Sequence, residues 1–341
     1  MSSLVVTSIP REKALEKPAH HIGSPPTAFT NPWPSFDSHH SIPQMLSTRF
    51  GRERNFVPVP NTREELVPVR KPDWGADKPH TLRATWFGHA SFLLETAAAP
   101  GASRGVRILA DPVFAERVGP WGLVGPKRFS PTPCKLEEVP EVDAVIISHN
   151  HYDHLDVDTI KHLYSSRKRP IHFFCGLNVR SWFIASGMDG GHALWCSYVV
   201  EEMHTEHLHK LYFAGDTGYR TVTKEALADD KVDSLSHCPA FKEIGSKYGP
   251  FDLALLPIGC YSPRPFMSPV HCAPDDSIEI HKDVRSKKSI GMHYGTIRGG
   301  LSAQYEDVRE PPQRWKEGCE KAGLKWGEEI GLCDLGETVA V

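Results

Sequence analysis

The chain reads as an α/β fold, a mixed arrangement of sheet and helix. Three observations predict it. Short apolar runs, each long enough for one strand, recur along most of the chain. Helical stretches alternate with them, one with an acidic first turn (273 to 284) and another at 311 to 323. Residues capable of chemistry, His149, Asp216 and His293, stand where apolar runs end, which is where such folds build sites.

The first 80 residues hold 12 of the 29 prolines. Proline fixes φ and lacks an N–H, so this part predicts neither long helices nor central strands. We read residues 1–80 as a Pro-rich N-terminal arm, with Phe29, Trp33 and Phe36 anchoring it on a body at 81–341. In the body, "LRATWFGHASFLLET" (82 to 96) predicts two strands joined at Gly88-His89. Further strands are expected in "GVRILADPVF" (105 to 114), "EVDAVIISHNH" (141 to 151), "RPIHFFCG" (169 to 176), "KLYFAGDTG" (210 to 218), "PFDLALLPIGC" (250 to 260) and "KKSIGMHYG" (287 to 295). "VRSWFIASG" predicts a helix closed by Gly187. "YRTVTKEALADDKVDSLSHCPAF" (219 to 241) reads as a charged, loop-like insertion near the site.

With 341 residues, 40% of them hydrophobic, the chain can bury a sizeable core. A net charge of -3 argues against a nucleic-acid partner held by phosphate neutralisation. The eight cysteines form no CxxC pair and read as reduced thiols of an intracellular protein. No apolar run approaches a membrane span, so a cytoplasmic or peripherally bound protein is expected. The first residues lack a signal-peptide core, and Glu12 and Glu16 weaken any transit-peptide character.

His149, His151, Asp153 and His154 follow the pattern H-x-H-x-D-H directly after an apolar strand. Such a turn can aim alternate side chains into one small volume, and imidazole plus carboxylate suits a borderline ion such as Zn2+. Asp216 in "YFAGDTG" is a natural bridging carboxylate, although Gly-Asp-Thr-Gly alone is equally a plain turn. His293 in "SIGMHYGT" would be ordinary by itself; the three segments reinforce one another.

These segments resemble the metallo-β-lactamase fold, and one branch of it closely. "TWFGHASFLLE", "ADPVF", "GPKRFSPTPC", "DAVIISHNHYDHLD", "FAGDTGY", "CPAFKEIGSKYGPFDLALLPIGCYSPR", "MSPVHCAPDDSIEIH" and "KKSIGMHYGT" are similar to the N-acylphosphatidylethanolamine-hydrolysing phospholipase D family, as is the "NPWPSF" arm. The resemblance implies a four-layer αββα sandwich and two Zn2+ ions. It assigns His149 and His151 to the first ion, and Asp153, His154 and His293 to the second, with Asp216 bridging. It implies a metal-bound hydroxide that attacks phosphorus, releasing an N-acylethanolamine and phosphatidic acid. Asp153 and His271 are its candidate catalytic residues, and Tyr152 and His271 its candidate substrate contacts; His271 alone would read as a helix-flanking surface histidine. His89 and Asp111 are expected to orient the ligand imidazoles. Mitochondria are a further candidate compartment. A phospholipid substrate, peripheral membrane contact through the arm and the Trp121 loop, and a homodimer are the expected partners.

One part of the pattern is absent. The family places a further zinc histidine between the H-x-H-x-D-H turn and the bridging Asp. Here the segments that resemble its flanks abut at Gly190-Gly191, so that loop and a core strand are lacking. His192 matches a different position, His172 lies in an apolar strand, and "HTEHLH" (204 to 209) reads as a solvated hairpin loop. The expectation is a site that holds one zinc well and the other poorly, with neighbouring strands left unpaired at an edge. A lactonase, a soluble phosphodiesterase and an impaired relative are the alternatives.

Overall fold

The structure is a computed structural model that describes residues 17–38, 40–177, 179, 194–203 and 208–341. Two sheets form its frame. The first has the order β13-β3-β4-β5-β6-β7, built from β3 (Arg83–Gly88), β4 (Ser91–Glu95), β5 (Arg107–Ala110), β6 (Ala144–Ile147), β7 (His172–Cys175) and β13 (Thr338–Ala340). The second has the order β12-β11-β10-β9-β8, from β8 (Tyr198–Glu201), β9 (Lys210–Phe213), β10 (Leu253–Pro257), β11 (Ser289–Met292) and β12 (Ile330–Gly331). A small hairpin of β1 (His21–Ile22) and β2 (Ala28–Phe29) lies in the arm.

Alternation along each strand builds the layers. Ala84, Trp86, Phe92, Leu94 and Ile146 share a core with Phe213, Leu255 and Met292 of the second sheet. Leu93, Leu109, Val145 and Ile147 point the other way and pack with Ile160 and Leu163 of the helix Val157–Ser166. The outer face of the second sheet is covered by the helices Pro274–Asp283 and Glu310–Lys321, which bring Ile278, Ile280 and Trp315. Strand β10 is buried along its whole length, as a parallel strand covered on both faces must be. This is the αββα sandwich.

The strands expected in the body are present, most of them shorter than their apolar runs. Three expectations change. The stretch 219–241 is not loop throughout: it contains the helices Lys224–Ala228 and, in part, Ala240–Lys247. The first starts on Thr223, whose hydroxyl accepts from Ala226 N. The arm contains the nine-residue helix Ile42–Phe50, because Pro43 falls in its first turn, where no N–H is needed. Phe29, Trp33 and Phe36 do more than anchor the arm, since they wall a cavity described below. Of the helix expected at 179–187 only Val179 is described, and the Gly190-Gly191 junction, His192, His204 and His207 lie outside the described residues, as does the side chain of Trp121. Among the described residues, β7 and β8 each end their sheet as edge strands. Tyr198 on β8 ties the two edges, with its hydroxyl 2.8 Å from Ile147 O and 2.9 Å from Phe174 O.

Candidate metal centre

Five strand ends and one turn deliver the polar residues to a single edge of the sandwich. Strand β5 ends at Asp111, β6 at Ser148 and His149, β9 at Asp216, β10 at Gly259 and β11 at His293, while the β3–β4 turn carries His89. His89, Asp111 and His293 all adopt positive φ, a strained state for residues with side chains that a site can exploit. Gly215 also has positive φ, and a Cβ there would lie 2.6 Å from Ser148 Cβ, so only glycine lets Asp216 approach the β6 end. His293 N donates to His89 O at 2.9 Å, joining the two sheets beneath the site.

Hydrogen bonds fix the imidazole tautomers. Ser148 Oγ donates to Asp111 Oδ2 at 2.5 Å, so it accepts from His149 Nδ1 at 2.9 Å. His154 Nδ1 donates to Asp111 Oδ2 at 2.7 Å, and His293 Nδ1 faces Gly259 O at 3.4 Å. The three Nε2 atoms are thereby left as lone pairs. They converge on Asp216: His293 at 2.9 Å, His154 at 3.2 Å and His149 at 3.7 Å. His154 Nε2 and His293 Nε2 are 3.2 Å apart. His149 Nε2 and both Asp216 oxygens are buried without a hydrogen-bond partner. Buried acceptors facing one another are unfavourable unless a cation sits among them. Burial disfavours charge on His154, but Asp216 and Asp111 outweigh it and hold its pKa well above the ordinary value. Burial would raise Asp216, yet His154 and His293 outweigh it and hold the carboxyl well below its usual range. The donor set therefore fits a divalent metal.

Donor atoms group in four overlapping sets. One is His149, His151 and Asp216; another is His89, Asp153, His154 and His293; Asp216 with His271 and His293, and Asp111 with His149 and His154, link them. The geometry refines the expected support roles. Asp111 orients the imidazole of His154 and, through Ser148, that of His149. His89 reaches a carboxylate instead of an imidazole: its Nε2 lies 2.9 Å from Asp153 Oδ2. Burial and neighbouring His293 push the His89 pKa down to about 3, so a neutral His89 donates to an ionised Asp153. His271 is buried with Nδ1 unpartnered, 3.6 Å from Asp216 Oδ2. Burial lowers its pKa to about 4. Tyr152 is 39% exposed and lines a separate cleft of about 120 Å³ with Arg117 and Lys161.

Residues without a motif also shape the site. Trp195 lays its ring 4.1 Å from that of His149 and 4.9 Å from that of His151. Among the described residues no third histidine joins that pair with Asp216. Asp276 holds Arg264 at 2.5 Å and Arg220 at 3.1 Å, and Arg264 donates to His271 O at 3.4 Å, which braces the His271 loop. A cavity of about 560 Å³ runs from Asp216 and Thr217 between the arm and the body. Phe29, Trp33, Phe36, Phe241 and Ile244 are among its walls. Asp37 N donates to Thr221 Oγ1 at 2.9 Å and pins the arm there.

Comparison with known proteins agrees with this geometry. Residues 106–188 and 185–294 match the beta-lactamase superfamily domain. The N-acyl-phosphatidylethanolamine-hydrolyzing phospholipase D 1 of Caenorhabditis elegans is 32% identical, over 90% of this chain and 91% of that protein. The chain belongs to the N-acylphosphatidylethanolamine-hydrolysing phospholipase D family of the metallo-β-lactamase fold. The corresponding mitochondrial protein of Saccharomyces cerevisiae is 26% identical over 85% of this chain and 69% of its own length. A metal-dependent hydrolase of Rubrobacter xylanophilus is 25% identical over 73% of this chain and 96% of its own. Among solved structures, the metallo hydrolase Igni18 of Ignicoccus hospitalis covers 76% of this chain and 98% of its own, with 21% identity and a TM-score of 0.46. The chain is a metal-dependent hydrolase.

Proposed function

We propose that the protein is a zinc-dependent phosphodiesterase that hydrolyses N-acylphosphatidylethanolamine to an N-acylethanolamine and phosphatidic acid. The observation that carries the substrate class is the aromatic cavity, which meets the metal centre at Asp216 and has room for an apolar chain. His149, His151 and Asp216 would hold one ion, and Asp153, His154, His293 and Asp216 the other. Bound there, Zn2+ supplies a Lewis acid and lowers the pKa of water.

The side chains supply the rest. Asp153 stays ionised, because its His89 hydrogen bond and nearby His154 outweigh the effect of burial, and it can take a proton from the attacking water. Neutral His271 presents an unpartnered Nδ1 beside Asp216, where it can hydrogen-bond a phosphoryl or amide oxygen. Water oxygen bonds to phosphorus as the bond to the ethanolamine oxygen breaks, and the alkoxide leaves with a proton. Phe29, Trp33 and Phe36 bind an acyl chain and exclude water from one side of the site.

The test is zinc-loaded protein with detergent-dispersed N-acylphosphatidylethanolamine in 18O water. The expected result is N-acylethanolamine release with label in the phosphatidic acid. Hydrolysis of a lactone or a soluble phosphodiester, with none of the lipid, would replace this reading by another metallo-hydrolase activity. One observation favours an impaired relative instead: Trp195, and no third histidine, stands against His149 and His151 among the described residues. That reading wins if the protein binds no zinc and Asp216→Asn changes nothing measurable.

A further inference from the structure

The helix Ile42–Phe50 is turned inside out relative to an ordinary surface helix. It has no buried residue. Gln44 and Thr48, one turn apart, are its half-buried positions, and Tyr305 Oη donates to Thr48 O at 2.5 Å. At 3.6 residues per turn, Ile42, Leu46 and Phe50 fall on the opposite side, with Met45 on the flank between. Ile42 is 69% exposed, Leu46 54% and Phe50 65%. Phe56, just beyond, is 69% exposed. A core-facing amphipathic helix would point this stripe inward; here its apolar side chains face solvent, with Arg49 over the Phe50 ring and Arg298 over the Phe56 ring.

Charge identifies what it meets. Arg49 lies in the middle of the stripe, and Arg52 and Arg54 follow the helix. Arg54 Nε donates to Gly51 O at 2.9 Å and closes the helix end. Acidic residues are sparse here: the helix has none, and Glu53 is drawn to Lys224 at 3.4 Å. Long arginine stems lie along apolar surface while their heads reach outward, which suits an interface of acyl chains beneath anionic headgroups. The place in the chain also fits. The helix begins six residues after Phe36, a wall of the cavity, and Lys224 follows shortly after Thr221, another wall residue.

We infer that the face formed by Ile42, Met45, Leu46, Phe50 and Phe56, with Arg49, Arg52 and Arg54, docks the protein on an anionic lipid bilayer. This rests on the phospholipid reading above and specifies the surface that brings the cavity to its substrate. The arm thus has two tasks: its aromatic stretch faces the cavity and its helix faces the membrane.

Flotation of the full chain with phosphatidylcholine vesicles, with and without phosphatidylserine, tests this without any cleavable substrate. Binding is expected on the phosphatidylserine vesicles, and Leu46→Gln with Phe50→Gln should weaken it at least about tenfold. Arg49→Glu with Arg52→Glu should abolish the preference for phosphatidylserine and its salt sensitivity. Hydrolysis of detergent-dispersed lipid should be unchanged in both variants. Undiminished vesicle binding by the Leu46/Phe50 variant overturns the inference. So does a fall in its sedimentation coefficient, which would show that the face meets a second copy of this chain. Failure here leaves the hydrolysis assay intact, and failure of that assay leaves vesicle binding intact, so the two readings fall separately.

Discussion

The two halves of the metal centre are built to different standards. On one side, His154 and His293 each find an oxygen acceptor for Nδ1, and both Nε2 atoms lie within 3.2 Å of Asp216. Asp153 is held by His89. On the other side, His149 is oriented by Ser148, but it stands 3.7 Å from Asp216, and Trp195 flanks both it and the exposed His151. A ligand set is as good as the groups that fix its members, so the first half should bind its ion tightly and the second weakly.

Asp216 belongs to both halves, so replacing it should erase the difference. Asp216→Asn should lose both ions and lower kcat by about a thousandfold or more. Retention of either ion, measured by elemental analysis, would show that the halves do not share this carboxylate.

A finer cut separates them. Asp111 accepts from His154 directly and from His149 only through Ser148. Asp111→Asn should therefore weaken the tighter ion by about 10- to 100-fold, in the range of such orienting groups. Equal weakening of both ions in a competitive chelator titration would count against the asymmetry. Trp195→His works in the other direction. It offers an imidazole beside His149 and His151 and should tighten the weaker ion by about tenfold, with little change at the tighter one.

The smallest effect concerns Glu306, which accepts from the N–H groups of Cys260, Tyr261 and Ser262. It thereby holds the turn whose Gly259 carbonyl faces His293. Burial pushes its pKa up from 4.5 to about 7. A carboxyl with a raised folded-state pKa stabilises the fold below its unfolded value and loses that contribution as pH rises through the folded one. Between pH 4.5 and about 7 the urea midpoint of Glu306→Gln should therefore rise relative to that of the natural protein. A parallel profile in the variant would remove Glu306 from this account.

Legibility in the sequence followed the same physics. The strand ends bearing His149, Asp216 and His293 were readable because apolar runs and polar turns alternate sharply there. Trp195 is not a polar residue at a strand end, so no rule of spacing places its ring against His149. The Asp276, Arg220 and Arg264 group joins side chains up to 56 positions apart, and spacing says nothing about them. In the arm, prolines concealed a helix whose first turn tolerates one. Its apolar stripe could not be read as a core face because it does not face a core. Phe29, Trp33 and Phe36 were recognisable as contact residues, but only the fold shows that a cavity lies between them and Asp216.

The direct test of the unequal pair is zinc binding by the full chain, followed by competition with a chelator of known affinity. One tight ion per chain is expected, with a second at least about a hundredfold weaker that is lost on dialysis. Two ions held with equal, high affinity would contradict it.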